Sequence, residues 1–376
     1  MDSSILFAGV DIGAGSGAKI GIFDQYLVLL AETELAVEQY GLNAGDLVSG
    51  VRTCLSGMAE GLGACFADVA AAGVVGPGVY LSDGTIARAV NLSFLDGVNM
   101  KQLIEDKLGI PAGCMNDADA GALAEWRYHR TELVYWVLGG GWGGAWVARD
   151  GKIRNLPQRW DGNDGSIHPA AEPGYVLGLD KSWLSSVFSG AGISFSDFER
   201  LSLLARGEGT NVLLGPDNDP ATVRAEAVVS GTGRWLIMRL FADKGGTLAA
   251  GLSCEDLEKL GKLSSAPEVL DKIKDRRMPL LKQTDSLFAE VFAEAAFKLL
   301  KKLEEDGCPG GAPVFLAGKP ARAFFSFGPY MSGRLRAKGM MNGIFLSELQ
   351  KKDLNPNLAG AGFLAGRAWK HKNNER

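Results

Sequence analysis

An amide and a carboxylate stand side by side at Asn116-Asp117, where a strand-like run ends and a helix rich in small residues begins. In a turn both side chains can face one ligand, so that the amide holds hydroxyl groups and the carboxylate accepts a proton from one of them. The position also suits a plainer role, because an Asp in the first turn can cap a helix, which is worth about 1 kcal/mol. Asp117 is therefore either a general base or a capping residue.

Two glycine loops form the second pattern with chemical meaning. The first, within residues 11–17, contains Gly13, Gly15, Ser16 and Gly17, and the second, within residues 139–144, contains Gly139, Gly140 and Gly141. Dinucleotide binding needs a helix after such a loop, but a strand-like run follows each of these, so that interpretation is rejected. Backbone N–H groups between antiparallel strands can still cradle a phosphate. The alternative, that both loops are only tight hairpins, has equal weight on glycine content alone.

Asp11 ends the first strand, beside the first loop. A carboxylate that faces a phosphate is repelled unless a cation lies between them, so Asp11 indicates Mg²⁺ reached through water. An Asp that caps a turn is the alternative. Lys19, on the return strand, is in the same way either a phosphate partner or a solvated strand residue.

Asp11, the first glycine loop and the Asn116-Asp117 pair must be positioned by strands and the helices that follow them. Runs at Ile5–Val10, Ala18–Phe23 and Leu27–Leu35 predict a three-strand meander around the first loop. Helices are predicted over Ala44–Ala72 and Met100–Leu108.

A second unit of similar layout begins near residue 130. The strand Leu133–Leu138, the second glycine loop and a return strand at Ala145–Ala148 open it. An apolar stripe predicts a helix over Asp285–Asp306, after which Pro313–Gly318 is a strand entering a loop. Leu358–Trp369 is predicted as the final helix.

Length and composition bound the function classes. A chain of 376 residues is too long for one hydrophobic core, which predicts two domains. The net charge of −5 and the lack of a basic tract argue against a nucleic-acid partner, and no apolar run reaches the ~18 residues of a membrane span. Five scattered cysteines without CxxC spacing indicate reduced thiols in a cytoplasmic protein.

Taken in order along the chain, these motifs resemble the ROK family of sugar kinases. The segments that carry the resemblance are Gly9–Gly13 with Gly21–Asp24, Gly76-Pro77-Gly78, Asn91-Leu92, Asn116–Ala120 with Glu125, Gly139–Gly144, Glu172-Pro173-Gly174, Ser189-Gly190, Phe315–Gly318 and Gly360–Gly362. The order and spacing of the segments are more specific than any one of them.

The resemblance implies an α/β protein of the actin-like ATPase (ribonuclease H-like) fold, with mixed sheets flanked by helices and a cleft between two domains. Residues 1–127 would form a smaller domain with the sugar site and the first phosphate loop. Residues 128–355 would form a larger one with the second phosphate loop and the adenosine loop. Residues 356–376 would form a terminal helix that packs back on the first domain.

The implied activity is transfer of the γ-phosphate of MgATP to a hydroxyl of a hexose or hexose derivative, with Asp117 as the base. The resemblance implies that the sugar is held by Gly78, Asn91, Asn116, Asp117, Glu172 and Tyr175. It implies that the nucleotide is held by Gly13, Gly15, Ser16, Gly17, Gly139, Gly140, Gly141 and Gly318, with hydrated Mg²⁺ at Asp11. A homodimer is the family expectation.

Four departures from the family pattern bear on this prediction. The first loop has one extra residue around Gly15-Ser16-Gly17, Gly140 stands where a Thr hydroxyl normally faces phosphate, and Tyr175 replaces a His. The cysteine-rich zinc loop is missing, since Leu179–Ser182 runs directly toward the next helix. A structural zinc site needs about four Cys or His ligands, so no zinc is predicted, and His168 is interpreted as a surface or sugar-side residue.

Three other functions stay open. Gly140 and Tyr175 favour a sugar-binding regulatory relative with little or no activity, although Asp11 and Asp117 are both retained. The extra loop residue allows a kinase or ATPase that acts on a non-hexose substrate. A homo-oligomeric scaffold with vestigial sites is the third alternative. The start of the first strand so near Met1 predicts no DNA-binding domain ahead of it. The identity of the sugar is not predicted.

Overall fold

The computed structural model describes residues 5–13, 17–36, 41, 43–89, 92–154, 171–206, 213–244 and 279–374. The chain divides into two compact units. Unit 1 comprises Met1–Thr131, Val147–Ile167 and Glu348–Arg376, and unit 2 comprises Glu132–Trp146 and His168–Ser347.

Strands and helices alternate along both units. The strands are β1 Leu6–Gly13, β2 Gly17–Phe23, β3 Leu29–Leu35, β4 Val69–Gly76, β5 Val79–Tyr80, β6 Ile86–Arg88, β7 Ala112–Asn116, β8 Leu133–Leu138, β9 Trp142–Val147, β10 Gly178–Asp180, β11 Thr222–Arg224, β12 Val314–Ala317 and β13 Ile344–Leu346. The α-helices are α1 Ala44–Gly61, α2 Met100–Leu108, α3 Asp117–His129, α4 Pro173–Val176, α5 Lys181–Gly190, α6 Phe195–Arg206, α7 Gly231–Lys244, α8 Pro279–Glu305, α9 Phe324–Ala337, α10 Glu348–Lys351 and α11 Pro356–Asn374.

Unit 1 is built on a five-stranded sheet in the order β3-β2-β1-β4-β7. The first three strands form an antiparallel meander, and β4 and β7 run parallel to β1. Both β1 and β4 are apolar and buried along most of their length, which is typical of strands covered on both faces. Apolar residues of α1 and α2 join the core on one face.

Helix α11 covers the other face of this sheet at very close range. A Cβ on Gly73 of β4 would lie 1.9 Å from the carbonyl oxygen of Ala361, and one on Gly9 of β1 would lie 3.0 Å from that of Leu358. Glycine is therefore required where the helix backbone meets the strands. This contact ties the last helix to the strand that carries Asp11.

Unit 2 contains a four-stranded sheet in the order β13-β12-β8-β9, in which β12 runs parallel to both β8 and β13. Its core includes an aromatic cluster of Trp136, Trp142 and Phe292, with ring centroids 5.1–5.8 Å apart. Phe292 lies on α8, the long helix predicted from its apolar stripe. A separate antiparallel pair joins β10 to β11.

The predicted α/β class, with mixed sheets flanked by helices, is confirmed. The predicted helix over Ala44–Ala72 is wrong beyond Gly61, because Gly63 adopts φ +73° and the chain then enters β4. A short apolar run such as β4 cannot be assigned to helix or strand by periodicity alone. The return strand after the second loop begins at Trp142, earlier than predicted, so that loop is confined to residues 139–141.

Candidate active site

The carboxyl ends of the parallel strands of unit 1 bring the predicted catalytic residues together. Asp11 of β1 pairs with Val75 of β4, and Gly76 at the end of β4 pairs with Asn116 at the end of β7. Ligands of open parallel sheets bind at this edge. Asp11 and Asp117 interact electrostatically there, so the two carboxylates belong to one site.

Asn116 takes the capping role that the sequence left open for Asp117. Its Oδ1 accepts hydrogen bonds from the backbone N–H groups of Ala118, at 2.8 Å, and Asp119, at 3.3 Å. Its Nδ2 donates to the carbonyl oxygen of Gly78 at 3.0 Å, and the residue is only 3% exposed. Asp117 is the first residue of α3 and is therefore released from capping.

The electrostatics of Asp117 suit a group that exchanges a proton near neutral pH. Burial is the main cause and the negative charge of Asp11 the second of a rise in the pKa of its carboxyl to about 7, and the hydrogen bond from the Ala118 N–H limits that rise. That bond is 2.9 Å long, from the N–H to Oδ1. The residue keeps some exposed surface, so a ligand can reach it. A general base works best when its pKa lies near the operating pH.

Asp11 is held by a residue from the far end of the chain. Asn355 Nδ2 donates a hydrogen bond to Asp11 Oδ2 at 2.8 Å, and Lys19 is the cross-strand partner of Asp11 on β2. Burial raises the pKa of Asp11, whereas the Asn355 hydrogen bond and the Lys19 charge lower it. Lys19 thus lies opposite Asp11, whereas the sequence predicted either a phosphate partner or a solvated strand residue.

The donor set at this edge fits a hydrated magnesium ion. Two carboxylates, Asp11 and Asp117, repel each other in a partly buried site, and a cation would relieve that repulsion. Mg²⁺ is normally bound through one or two carboxylates, water and substrate phosphates. Within the described ranges no group of three or more His, Cys, Asp or Glu residues could hold a metal by itself.

In the first glycine loop and the adjacent hairpin, two glycines are required by the backbone. Gly13 pairs with Gly17 at the end of the β1–β2 hairpin. Gly17 has φ +79°, and a Cβ there would lie 2.1 Å from the carbonyl oxygen of Leu35. Gly78 has φ +121°, with the Arg88 carbonyl oxygen 2.0 Å from the same position. Three of the predicted binding residues, Gly15, Ser16 and Asn91, lie outside the described residues.

The second glycine loop, in unit 2, is open. A Cβ on Gly139 or Gly140 would meet no atom of the described residues within 4 Å, whereas one on Gly141 would lie 2.7 Å from Oε2 of Glu226. The carbonyl oxygen of Gly139 accepts a 2.9 Å hydrogen bond from the N–H of Gly231, where α7 begins. Packing against the described part of the chain therefore does not explain the glycines at 139 and 140, and those residues leave room for a side chain at 140.

The predicted sugar-side turn of unit 2 is formed by Glu172 and α4. The carbonyl oxygen of Glu172 accepts hydrogen bonds from the N–H groups of Tyr175 and Val176, both at 3.1 Å. Tyr175 is 40% exposed, and the guanidinium of Arg224 lies 3.7 Å from the centroid of its ring. This cation–π contact and the β10–β11 pairing hold the segment in which the sequence lacks the zinc loop of the family. His168 lies outside the described residues.

Gly318, the predicted adenosine-loop residue, has a structural reason to be glycine. Its φ is +93°, and a Cβ would lie 1.9 Å from the carbonyl oxygen of Leu138 on β8. The glycine thus permits the chain to leave β12 close to its neighbouring strand. A role near a nucleotide stays a prediction.

Sequence reasoning missed three residues of these sites. Asn355 precedes Pro356 at the start of α11, and an Asn before a Pro at the first helical position is a recognisable capping signal. Glu226 is mostly buried beside Gly141 and Gly174. Its pKa is raised, because the effect of burial exceeds the opposing effect of the Arg206 and Arg224 charges. Tyr80 follows the Gly78 turn. The sequence around Glu226 and Tyr80 carries no signal of a site.

Comparison with known proteins confirms the resemblance stated from the motifs. Residues 7–156 match the model of the ROK family. This range contains Asp11, both glycine loops, and the Asn116-Asp117 pair. No curated protein sequence matches the chain.

Solved structures of ROK proteins share the fold along nearly the whole chain. A ROK family glucokinase from Streptomyces griseus, solved with glucose and AMPPNP, has a TM-score of 0.66 at 19% identity, covering 96% of this chain and 99% of that one. A ROK hexokinase from Thermus thermophilus has a TM-score of 0.60 at 16% identity, with 97% and 99% covered. A ROK transcriptional regulator, a homolog of the E. coli MLC protein, has a TM-score of 0.64 at 14% identity, with 97% and 78% covered.

At such identities these likenesses establish the actin-like fold of the ROK kinases and nothing about activity. Kinases and a regulator share it equally well, so function must be argued from the site. Among the described residues, no helix combines the length and apolarity needed to cross a membrane.

Proposed function

We propose that this protein is an ATP-dependent sugar kinase, which transfers the γ-phosphate of MgATP to a hydroxyl of a hexose or hexose derivative. One observation carries the proposal. Asn116 caps α3, so Asp117 is left at the sheet edge with a pKa of about 7 beside a second carboxylate. A structural Asp has no need of such an environment, whereas a general base does.

Phosphoryl transfer passes through a loose transition state, so the protein acts mainly by positioning and by charge. Asp117 accepts the proton of the attacking sugar hydroxyl as its oxygen bonds to the γ-phosphorus, while the bond from the γ-phosphorus to the bridging oxygen of the β-phosphate breaks and ADP leaves. Asn116 fixes the first turn of α3, and its bond to Gly78 keeps that turn aligned with the neighbouring hairpin. Bound magnesium would neutralise phosphate charge beside Asp11, which Asn355 holds in place.

The remaining binding roles follow the family resemblance. Gly78, Asn91, Asn116, Glu172 and Tyr175 would contact the sugar. The nucleotide would be contacted by Gly13, Gly15, Ser16, Gly17, Gly139, Gly140, Gly141 and Gly318. Support for the phosphate role is strongest at Gly139 and Gly140, where the backbone borders open space. A homodimer and the division at residues 127 and 355 are proposed on the resemblance alone.

The test is acceptor-dependent formation of ADP and of a phosphorylated sugar. The chain is incubated with MgATP and with hexoses, N-acetyl hexosamines, deoxy sugars or sugar acids, and products are identified by mass spectrometry. A sugar phosphate formed with one acceptor class supports the proposal and names the substrate. ADP release that does not depend on any sugar would instead identify an ATPase.

A sugar-binding regulator is the second candidate, and one observation favours it. Gly140 supplies no hydroxyl at a position where the structure leaves room for one, so a phosphate contact of the kinases is missing. Sugar binding without turnover, measured by thermal shift, would support this candidate over the kinase.

A further inference from the structure

Tyr80 places a phenol at the same sheet edge as the two carboxylates. It is the second residue of β5, which pairs with β6 in a short hairpin. Its hydroxyl lies beside Gly76 at the end of β4, because a Cβ on Gly76 would lie 3.0 Å from that oxygen. The same Cβ position is 3.3 Å from the carbonyl oxygen of Ile12 on β1. The hydroxyl therefore lies at the carboxyl end of β4, where that strand runs beside β1.

The hydroxyl is enclosed and has no hydrogen-bond partner within the described part of the chain. Buried hydroxyls normally find a partner, since an unsatisfied one costs stability. Burial raises the pKa of Tyr80 well above 10, and the charges of the Asp117 and Asp11 carboxylates add to this. The phenol is thus a neutral donor at any physiological pH.

Asn116 links the segment that carries the Tyr80 phenol to the helix that begins with the proposed base, Asp117. Asn116 caps α3, and its Nδ2 donates a hydrogen bond to the carbonyl oxygen of Gly78, two residues before Tyr80. Gly76, beside which the Tyr80 hydroxyl lies, is also the cross-strand partner of Asn116. The phenol therefore lies at the sheet edge where α3 begins with Asp117.

We propose that Tyr80 is a substrate-positioning residue whose O–H donates a hydrogen bond to an oxygen of the phosphate acceptor, next to the hydroxyl that Asp117 deprotonates. This inference rests on the proposed function for the identity of the acceptor. Bound acceptor would satisfy the enclosed hydroxyl, and a sugar without an oxygen at that position would leave it unsatisfied. Tyr80 thereby selects among sugars by the presence of that oxygen.

The test is Tyr80→Phe, which removes the hydroxyl and keeps the ring. Tyr135→Phe is the matched control, because Tyr135 is also a buried tyrosine but lies on β8 in unit 2. Acceptor and MgATP affinities are measured separately by calorimetry, KM and kcat are measured where turnover occurs, and melting is followed without ligand. The acceptor probes are glucose, N-acetylglucosamine, 2-deoxyglucose and gluconate.

We expect Tyr80→Phe to weaken acceptor binding about 5- to 10-fold, to change MgATP binding by less than about 2-fold, and not to lower the melting temperature of the free protein. Tyr135→Phe should leave both affinities unchanged. Equal losses for acceptor and MgATP, unchanged acceptor binding, or a drop in ligand-free melting temperature would each overturn the proposal.

The two proposals fail in different ways. Acceptor binding that depends on Tyr80, without phosphoryl transfer, contradicts the kinase and leaves Tyr80 as a residue of a sugar-binding site. Phosphoryl transfer that is insensitive to Tyr80→Phe contradicts only the role of Tyr80. If the native chain binds none of the four acceptors, both proposals are contradicted.

Discussion

The two glycine loops look alike in the sequence but differ in what makes their glycines necessary. In unit 1, Gly17 has a left-handed φ, and any side chain there would collide with the carbonyl oxygen of Leu35. In unit 2, a side chain on Gly139 or Gly140 would meet no atom of the residues that the structure describes, so neither glycine has such a requirement there. Gly17 is therefore explained by the fold, whereas contacts among the described residues explain neither Gly139 nor Gly140, which agrees with the phosphate role proposed for them.

A similar contrast separates the acidic groups of the two units. Asp117 lies beside a second carboxylate, so both burial and charge repulsion raise its pKa. Glu226 of unit 2 lies near Arg206 and Arg224, which lower its pKa against burial. Only the first arrangement leaves negative charge unbalanced, and this favours unit 1 as the place where a proton is accepted.

The largest expected effect is on catalysis and comes from Asp117→Asn. The amide keeps an acceptor for the Ala118 N–H but cannot take a proton, so kcat should fall by about 10²- to 10⁴-fold. Steady-state kinetics with the identified acceptor measure this. A fall of less than about 10-fold would remove Asp117 from the role of base.

The same substitution should stabilise the protein at high pH. The folded pKa of Asp117, about 7, is above its ordinary value of 3.8, so its carboxyl favours folding at low pH and loses that contribution as pH rises through 7. Asp117→Asn removes a cost of at most about 4 kcal/mol, at 1.36 kcal/mol per pKa unit. Thermal melting should show a larger gain at pH 8 than at pH 5. An equal change at both pH values would contradict the shifted pKa.

The comparison between the loops is tested by Gly17→Ala against Gly139→Ala. Gly17→Ala should lower the free energy of unfolding by about 2–4 kcal/mol, because it combines a left-handed φ with a backbone collision. Gly139→Ala should change it by less than about 0.5 kcal/mol. Urea unfolding measures both, and similar losses for the two variants would erase the distinction.

A smaller effect is expected from restoring a side chain in the open space at Gly140. Gly140→Thr should lower KM for ATP about 5- to 10-fold, since one added hydrogen bond is worth about 1 kcal/mol. Gly140→Val is the control, because valine has nearly the same shape without the hydroxyl. Equal behaviour of Thr and Val would show that the position does not face phosphate.

The smallest effect is expected at Asn355, which both begins α11 and donates to Asp11. Asn355→Ser keeps an oxygen that can cap the helix but loses the Nδ2 donor, so the pKa of Asp11 should rise further. Activity should then decline about 2- to 5-fold at pH 6 and less at pH 8. A pH profile that matches the native one would assign Asn355 to the helix alone.

The sequence predicted the elements of this fold better than the partners of the site residues. The segments Met100–Leu108 and Leu133–Leu138 were predicted with the bounds that the structure has, because their patterns are local. The helix at residues 44–72 was extended too far, since β4 is a short apolar run. The sequence indicated Asp117 as a candidate cap of α3, but the neighbouring Asn116 caps it, and a second hydrogen bond of Asn116, which no local pattern predicts, reaches Gly78, 38 residues away.

Residues contributed by distant segments escaped prediction for the same reason. Asn355 reaches Asp11 across 344 residues of sequence, and Tyr80 meets the strand ends only through the geometry of its hairpin. The local sequence around Asn355 or Tyr80 does not indicate which residue it contacts. The adjacency of Asn116 and Asp117, by contrast, was visible from the start.

The most direct test of Asp117 as the base is the pH dependence of kcat/KM for the acceptor, which reports on ionisations of the free enzyme. It should be measured from pH 5.5 to 8.5 for the native protein and for Asp117→Asn. The account predicts that native kcat/KM rises with pH and bends near 7, and that the residual activity of Asp117→Asn shows no bend there. A native profile that is flat across this range, or a bend near 7 that persists in Asp117→Asn, would contradict it.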